Sequence, residues 1–378
     1  MRICFIVIAV LAIASAASAA ESGQITAIVV SPIHEAQVVH GDDGMDHVEY
    51  ELLVVSVFPE PVTLSSVTVL DPAGKELMRI EGHTLAAATQ TLFARTETPI
   101  IPASAAVSVD VDLILPPDTT PERVKHRIAY TLAADSKLAL MIGSLQVDGP
   151  EVSINRQPAI VIKSPLSGNG WLAAAGCCKP NIHRDLRMAI DGRRIETGET
   201  FAIDWNRAKN DKIYAGDGKM VEQHFAFGQD ALAVTDGTVV STHDGMPDET
   251  PFLLMLPKAK EDYGGNHVIL EIAPNVFALY EHLHPGSLTV KVGDAVKAGA
   301  VLGKIGNTGP SEGPHLHFGL SDQPNIFTGR SLPFVFDRFT SVGDIDLDAS
   351  KADRLVISPD SRQVRSAYPL YGGIQNYP

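Results

Sequence analysis

Apolar and polar residues alternate along nearly every hydrophobic segment of this chain, and turn formers cut the segments short. "QITAIVVSPIHE", "HVEYELLVVSVFPEPVTLSSVTVLD", "AAVSVDVDLILPP" and "HRIAYTLAAD" are separated by Pro, Gly and Asp. A period of two places successive side chains on opposite faces, the pattern of half-buried strands. From about residue 181 the same texture returns with glycine-rich turns, in "ALAVTDGTVVSTHDG", "HVILEIAPNVFALYEHLHPG", "LTVKVGDAVKAGAVLGKIGNTG" and "PHLHFGLSD". No stretch there sustains a helical period; the nearest is a short turn around 183–190. The fold class expected is all-β. Residues 21–150 read as an antiparallel sandwich of immunoglobulin-like character. Residues 151–180, rich in Pro, Gly, Ser and Asn, read as a connector, and 181–337 as a second β domain. Residues 338–378 mix charged with Pro- and Tyr-rich segments, so they are expected to strap across a surface or to be partly mobile.

Residues 1–20, "MRICFIVIAVLAIASAASAA", carry one positive charge at Arg2, an apolar run and then small residues. That is the pattern of a secretory signal peptide, which points to a periplasmic, extracellular or cell-wall location. No later apolar stretch approaches the roughly 20 residues that a spanning helix needs. The formal net charge of −15 becomes −16 without Arg2, and no basic run offsets it, so nucleic acid is excluded as a partner. Cys177 and Cys178 remain as an adjacent pair, read as structural and oxidised in an export compartment. His34, His40 and His47 are scattered through expected loops and read as solvated. The hairpin "VKVGDAVKAGAVLGKIG" is of a kind that also occurs in lipoyl carriers. A carrier needs its modifiable lysine at a hairpin tip, however, and Lys304 falls inside an expected strand.

Chemistry concentrates in the second domain. In "GPHLHF", His315 and His317 share one strand face, with Leu316 on the other. "FAIDW" places Asp204 on an apolar strand, followed by Trp205. In "YEHLHPGS", alternation gives Tyr280, His282 and His284 a common face. A carboxylate and imidazoles arriving from separate strands suit a single zinc ion, held by three protein ligands with water as the fourth. Further imidazoles would handle the proton and the developing oxyanion.

The order of "AVTDGTVV", "GNHVILE", "YEHL" and "VKVGDAVKAGAVLGKIGNTGPSEGPHLHF" resembles the lysostaphin-type (LytM-domain) zinc endopeptidases of bacterial cell walls, over about residues 199–320. The resemblance implies a duplicated-hybrid-motif β fold, one Zn2+, and hydrolysis of peptide cross-links in peptidoglycan. On that pattern Asp204 and His317 are zinc ligands, whereas His282 and His315 handle water and oxyanion. The family's first ligand, a His four residues before the Asp, is replaced here by Thr200, and a neutral hydroxyl is a poor zinc donor. His183, in "NIHRDLRMAIDG", is the best substitute: a turn at "IDGRR" would return it toward the strand of Asp204. His224 and His267 are weaker candidates. Arg184 and Arg187 beside His183 could bind a substrate carboxylate, Tyr280 and Trp205 could wall the cleft, and Gly313 would let the chain pass close to substrate.

Two readings follow. One is an exported zinc metalloendopeptidase acting on stem peptides or another peptide substrate. The other is a degenerate, metal-free domain that binds wall peptides or activates another hydrolase. Asp204, His282, His315 and His317 together favour chemistry; Thr200 favours the binder.

Overall fold

The computed structural model describes residues 23–92 and 96–378. The expected signal peptide, at 1–20, lies outside the described residues. Among the described residues, no helix is long and apolar enough to cross a membrane.

The N-terminal unit is built from two groups of strands around one core. Asp46–Ser56 runs antiparallel between Ala36–His40 and Ala106–Leu115. Val62–Leu70 pairs with Glu76–Glu81 and with Arg123–Leu132. Val152–Asn155 bridges the groups by pairing with both Arg123–Leu132 and Ala36–His40. Tyr50, Leu52 and Val54 from one group meet Val62, Leu64 and Val67 from the other in a shared core. Alternation should send Glu49 and Glu51 to water, yet both are 0% exposed because the second unit covers that face. The histidines of this unit depart from expectation for the same reason. His40 and His47 lie on strands rather than loops, and His47 is buried between Asp43 and Asp112.

The second unit centres on a long mixed sheet. Its middle runs Gly168–Ala174, Ile203–Arg207, Leu316–Ser321, Val276–Glu281, His267–Ala273 and Gly237–His243, all neighbours antiparallel. One face carries Ile203, Trp205, Leu316, Phe318, Ala278 and Tyr280 into a core. The opposite face carries Asp204, His317 and Glu281 in one cross-strand row, since Asp204 pairs with His317 and His317 with Glu281.

Two boundaries differ from the sequence reading. Residues 338–378 form neither a strap nor a mobile tail. Phe334–Ile345 and Gly373–Tyr377 are strands of this same sheet, and Ile357–Ala367 pairs alongside. Their apolar positions are interrupted by charges that stay on the exposed face, which hides the alternation from composition. The stretch 151–180 is likewise no simple connector: Val152–Asn155 belongs to the first sheet, and Ile160–Ile162 and Gly168–Ala174 to the second. The turn expected around 183–190 is a single helical turn, Ile182–Asp185, followed by the hairpin Arg187–Ile190/Arg194–Thr197. Cys177 and Cys178 form a disulfide just before it.

Candidate metal centre

The hairpin brings His183 back to the sheet. Its Nε2 lies 3.3 Å from Asp204 Oδ2, and its Nδ1 donates to the Ala202 carbonyl at 3.1 Å. From the neighbouring strand, His317 places Nδ1 2.9 Å from Asp204 Oδ1. One donor atom each from His183, Asp204 and His317 lie within 4.8 Å of one another. Donors about 2.0–2.2 Å from a tetrahedral zinc are spaced by about 3.4 Å, close to the separations at Asp204. The donor set fits the metal. The Ala202 carbonyl fixes the proton of His183 on Nδ1 and leaves the Nε2 lone pair aimed at the centre, as outer hydrogen bonds do for ligating imidazoles.

His282 and His315 flank this trio, their ring centroids 4.8 Å apart. His282 Nδ1 donates to the Thr308 carbonyl at 2.8 Å, and His315 Nδ1 to the Gly313 carbonyl at 2.8 Å. His282 therefore keeps Nε2 free to accept a proton, whereas His315 Nε2 pairs with Asp204 Oδ1 at 3.3 Å. His282 reaches the site by an unusual backbone. Its φ of 61° is left-handed, a conformation costly for a residue with a Cβ and often found at functional sites. The strand alternation breaks there, so Glu281 and His282 both face the cleft.

The same break relocates Tyr280. Counted back from His282 it should share the cleft face. Instead it is 0% exposed in the core, where its hydroxyl accepts from the Val234 N–H at 2.9 Å. Trp205 is also buried, its ring 5.5 Å from that of Tyr377. Arg184 offers nothing to a substrate: it is 0% exposed, and its guanidinium is spent on Glu49 and Glu51 of the N-terminal unit. Its affinity for carboxylates is satisfied internally. Gly313 lines the cleft and supports His315, and a Cβ there would come 3.2 Å from His224. Thr200 is buried, its hydroxyl bonded to the Thr197 carbonyl at 3.3 Å.

His224 stands on the cleft wall with Nε2 donating to the Gly218 carbonyl, and His267 stacks on His243; neither joins the trio. His284 is held by Asp248 at 2.5 Å. A second group, His47, Glu49, Asp112 and Cys178, also clusters, but the Cys178 sulfur is in the disulfide and Glu49 is paired with Arg184.

Electrostatics sharpen the centre. Burial works against charge on Asp204, yet His183 and His315 hold its pKa well below the usual carboxylate range. Burial and the neighbouring His315 and His317 push His282 well below the ordinary imidazole value, so it stays neutral. Burial alone would lower His317, but Glu281 foremost, then Asp204 and Glu199, raise it to about 10. A cation entering here displaces that proton, which makes its binding pH-dependent. Sequence reasoning missed Glu281. It occupies the x of Tyr-x-His, and only the register opposite His317 reveals which way it faces.

The cleft holds about 500 Å³, and among the described residues no lysine or arginine lines it. Apolar side chains, among them Ile182, Leu186, Phe252 and Leu254, share its walls with the carboxylates of Glu199, Glu281 and Glu312. A carboxylate and two imidazoles suited to a metal, with two more imidazoles beside an open cleft, are groups that a metallopeptidase site requires. Residues 217–327 match the model of Peptidase family M23, and the chain carries a domain of that family, the lysostaphin or LytM type. His282, His315 and His317 fall within the match; His183 and Asp204 precede it. The glycyl-glycine endopeptidase ALE-1 of Staphylococcus capitis is 36% identical over 78 residues, 20% of this chain and 21% of that protein. Lysostaphin of Staphylococcus simulans is 44% identical over 57 residues, 15% and 12% of the two chains. The peptidoglycan DD-endopeptidase ShyA of Vibrio cholerae is 33% identical over 90 residues, 21% and 20%. The chain thus spans about a fifth or less of the length of these relatives.

Proposed function

We propose that this protein is an exported zinc metalloendopeptidase that hydrolyses peptide bonds in peptidoglycan cross-links. The observation that carries the reading is the gathering of His183, Asp204 and His317 within one ligand sphere, beside His282 and His315. His183, from upstream, takes the place that Thr200 leaves vacant. Zinc bound by these three residues would polarise a water and lower its pKa toward about 7.

The remaining roles belong to the protein's own groups. His282, kept neutral by burial, accepts the proton of the attacking water at Nε2 while Thr308 fixes its tautomer. His315, anchored through Gly313 and ring-to-ring with His282, stabilises negative charge on the scissile carbonyl oxygen when its Nε2 carries the donated proton. The exposed apolar side chains of Phe252 and Leu254 offer the substrate chain a contact surface, and Gly313 keeps the wall beside His224 low. With no cation lining the cleft, the substrate is held by its backbone and apolar contacts rather than by ion pairs to its carboxylates. Relatives named for glycyl-glycine and DD-endopeptidase activity support wall peptides as the substrate class.

Metal analysis of the purified chain tests the reading, together with release of soluble fragments from purified peptidoglycan. About one zinc per chain is expected for a single three-ligand site, lost together with the activity in His183→Ala. Negligible zinc at neutral pH without wall degradation would leave the metal-free, peptide-binding alternative.

A further inference from the structure

We propose that the N-terminal β unit is a structural half of the metal centre. It holds the segment that carries His183, so the ligand set of the second unit is complete only while the two units are docked. This rests on the reading of His183 as a ligand.

The Ile182–Asp185 helix is a single turn, too short to hold itself by its own hydrogen bonds. Its position is set by what its side chains grip. Asn181 caps it through the His183 N–H, and His183 points into the centre. The next residue, Arg184, points the opposite way, into the N-terminal unit. There Nη1 lies 2.6 Å from Glu49 Oε2, while Nε and Nη2 bond Glu51 Oε1 at 3.2 and 3.0 Å. Nη2 also donates to the Tyr50 carbonyl at 3.2 Å, so three consecutive residues of one strand hold a single guanidinium. Nη1 ties back to the Cys178 carbonyl at 2.7 Å, fixing the start of the same segment. Three residues further on, Arg187 reaches Asp110 at 2.5 Å, on the strand paired with Glu51.

These are buried, charge-assisted contacts that grip one guanidinium from several directions, which fixes its orientation. Glu49, Glu51 and Asp110 form a buried acidic row on the N-terminal unit, countered by the two arginines and, at Glu51, by His34 at 2.5 Å, so the buried arginines in particular do not tolerate being left alone. The two anchors follow His183 at one and four residues' distance. Loosening them frees the turn, and with it the donor that replaces the position lost at Thr200. The N-terminal unit thereby acts on the chemistry as a positioning element. Arg184 and Glu51 are positioning residues and touch no substrate.

The coupling is reciprocal: if docking favours zinc, zinc must favour docking. The first experiment needs no variant. Amide hydrogen exchange of the full wild-type chain is compared with and without zinc, and zinc should slow exchange in residues 46–56 and 106–115 as well as around 183, 204 and 317. Protection confined to residues 181–330 would overturn the proposal. The second compares zinc affinity by chelator competition in Glu51→Gln and in Arg123→Gln, which removes an exposed ion pair with Glu151. Glu51→Gln should weaken zinc binding about tenfold or more, as loss of outer-shell support does, while Arg123→Gln leaves it unchanged. A folded Glu51→Gln protein that melts earlier but binds zinc like wild type would make the network a stabilising interface only, and would sink the idea. His183→Ala separates the two claims. If it weakens zinc but Glu51→Gln does not, the coupling alone fails; if it leaves zinc unaffected, the ligand reading fails and the coupling with it.

Discussion

Gly265 is the point where a single methyl group should disable the chemistry without removing the metal. Its φ is +59°, and a Cβ there would overlap the Thr308 carbonyl and lie 2.5 Å from Thr308 Oγ1 and 2.7 Å from its carbonyl carbon. That carbonyl is the acceptor that orients His282, and Thr308 Oγ1 accepts from the Asn266 N–H at 2.8 Å. Gly265→Ala therefore carries two penalties. The left-handed backbone costs about 1–2 kcal/mol for a residue with a Cβ, and the backbone overlap adds roughly 1–3 kcal/mol because no flexible side chain can give way. The Thr308 loop must shift, and a displacement near 1 Å at a proton-transferring group can lower turnover about 100-fold. Gly286→Ala is the matched control, since φ there is +70° but nothing lies within 4 Å of the added carbon. It should cost only the backbone term, about 1–2 kcal/mol, and keep wild-type turnover. The assays are urea unfolding, zinc affinity by chelator competition, and peptidoglycan hydrolysis at saturating zinc. Gly265→Ala should retain zinc affinity while losing activity. Wild-type turnover in Gly265→Ala would refute the role of the Thr308 carbonyl, and loss of zinc along with activity would place His282 among the ligands.

Two further outcomes follow from buried groups. Tyr280→Phe leaves the Val234 N–H unpaired in the core, costing about 1–3 kcal/mol, and should lower the melting temperature without changing turnover. Lost activity at unchanged stability would return Tyr280 to the cleft. Burial pulls the His47 imidazole down, but the hydrogen bonds it donates to Asp112 and Asp43 outweigh this and raise its pKa to about 9. An unfolded His titrates near ~6.5, so the folded state holds the extra proton between the two values. This contribution is complete below about pH 6.5 and is lost as pH rises through about 9. His47→Gln should flatten the fall in urea midpoint across that interval in the metal-free protein, and an unchanged slope would contradict the assignment.

Much of the architecture was legible because period-two alternation is a direct image of a half-buried strand. It put Ile203 and Trp205 opposite Asp204, and Leu316 opposite His315 and His317, as the structure has them. It failed at His282, where one left-handed residue shifts the count, which is why Tyr280 was assigned to the wrong face and Glu281 was overlooked. The approach of His183 to Asp204 could be anticipated from the turn at "IDGRR", since a hairpin returns the chain to where it began. The destination of Arg184 could not, because its carboxylate partners lie more than 130 residues away and nothing local distinguishes an internal carboxylate from a substrate's. The strands after 334 were concealed by charges on their outer faces, where polarity reports solvent contact and says nothing of what the other face covers.

The placement of Gly373–Tyr377 bears on how the protein is made. This strand is threaded between Phe334–Ile345 and Gly168–Ala174, and Tyr377 packs edge-on against Trp205, the neighbour of Asp204. Translation delivers every histidine of the centre before it delivers the strip of backbone that closes the sheet behind them. A nascent or half-threaded chain therefore holds the reactive groups without the scaffold that aligns them. Pairing of Gly373–Tyr377 is thus the step that backs the row of Asp204 and His317 with a continuous layer of strands.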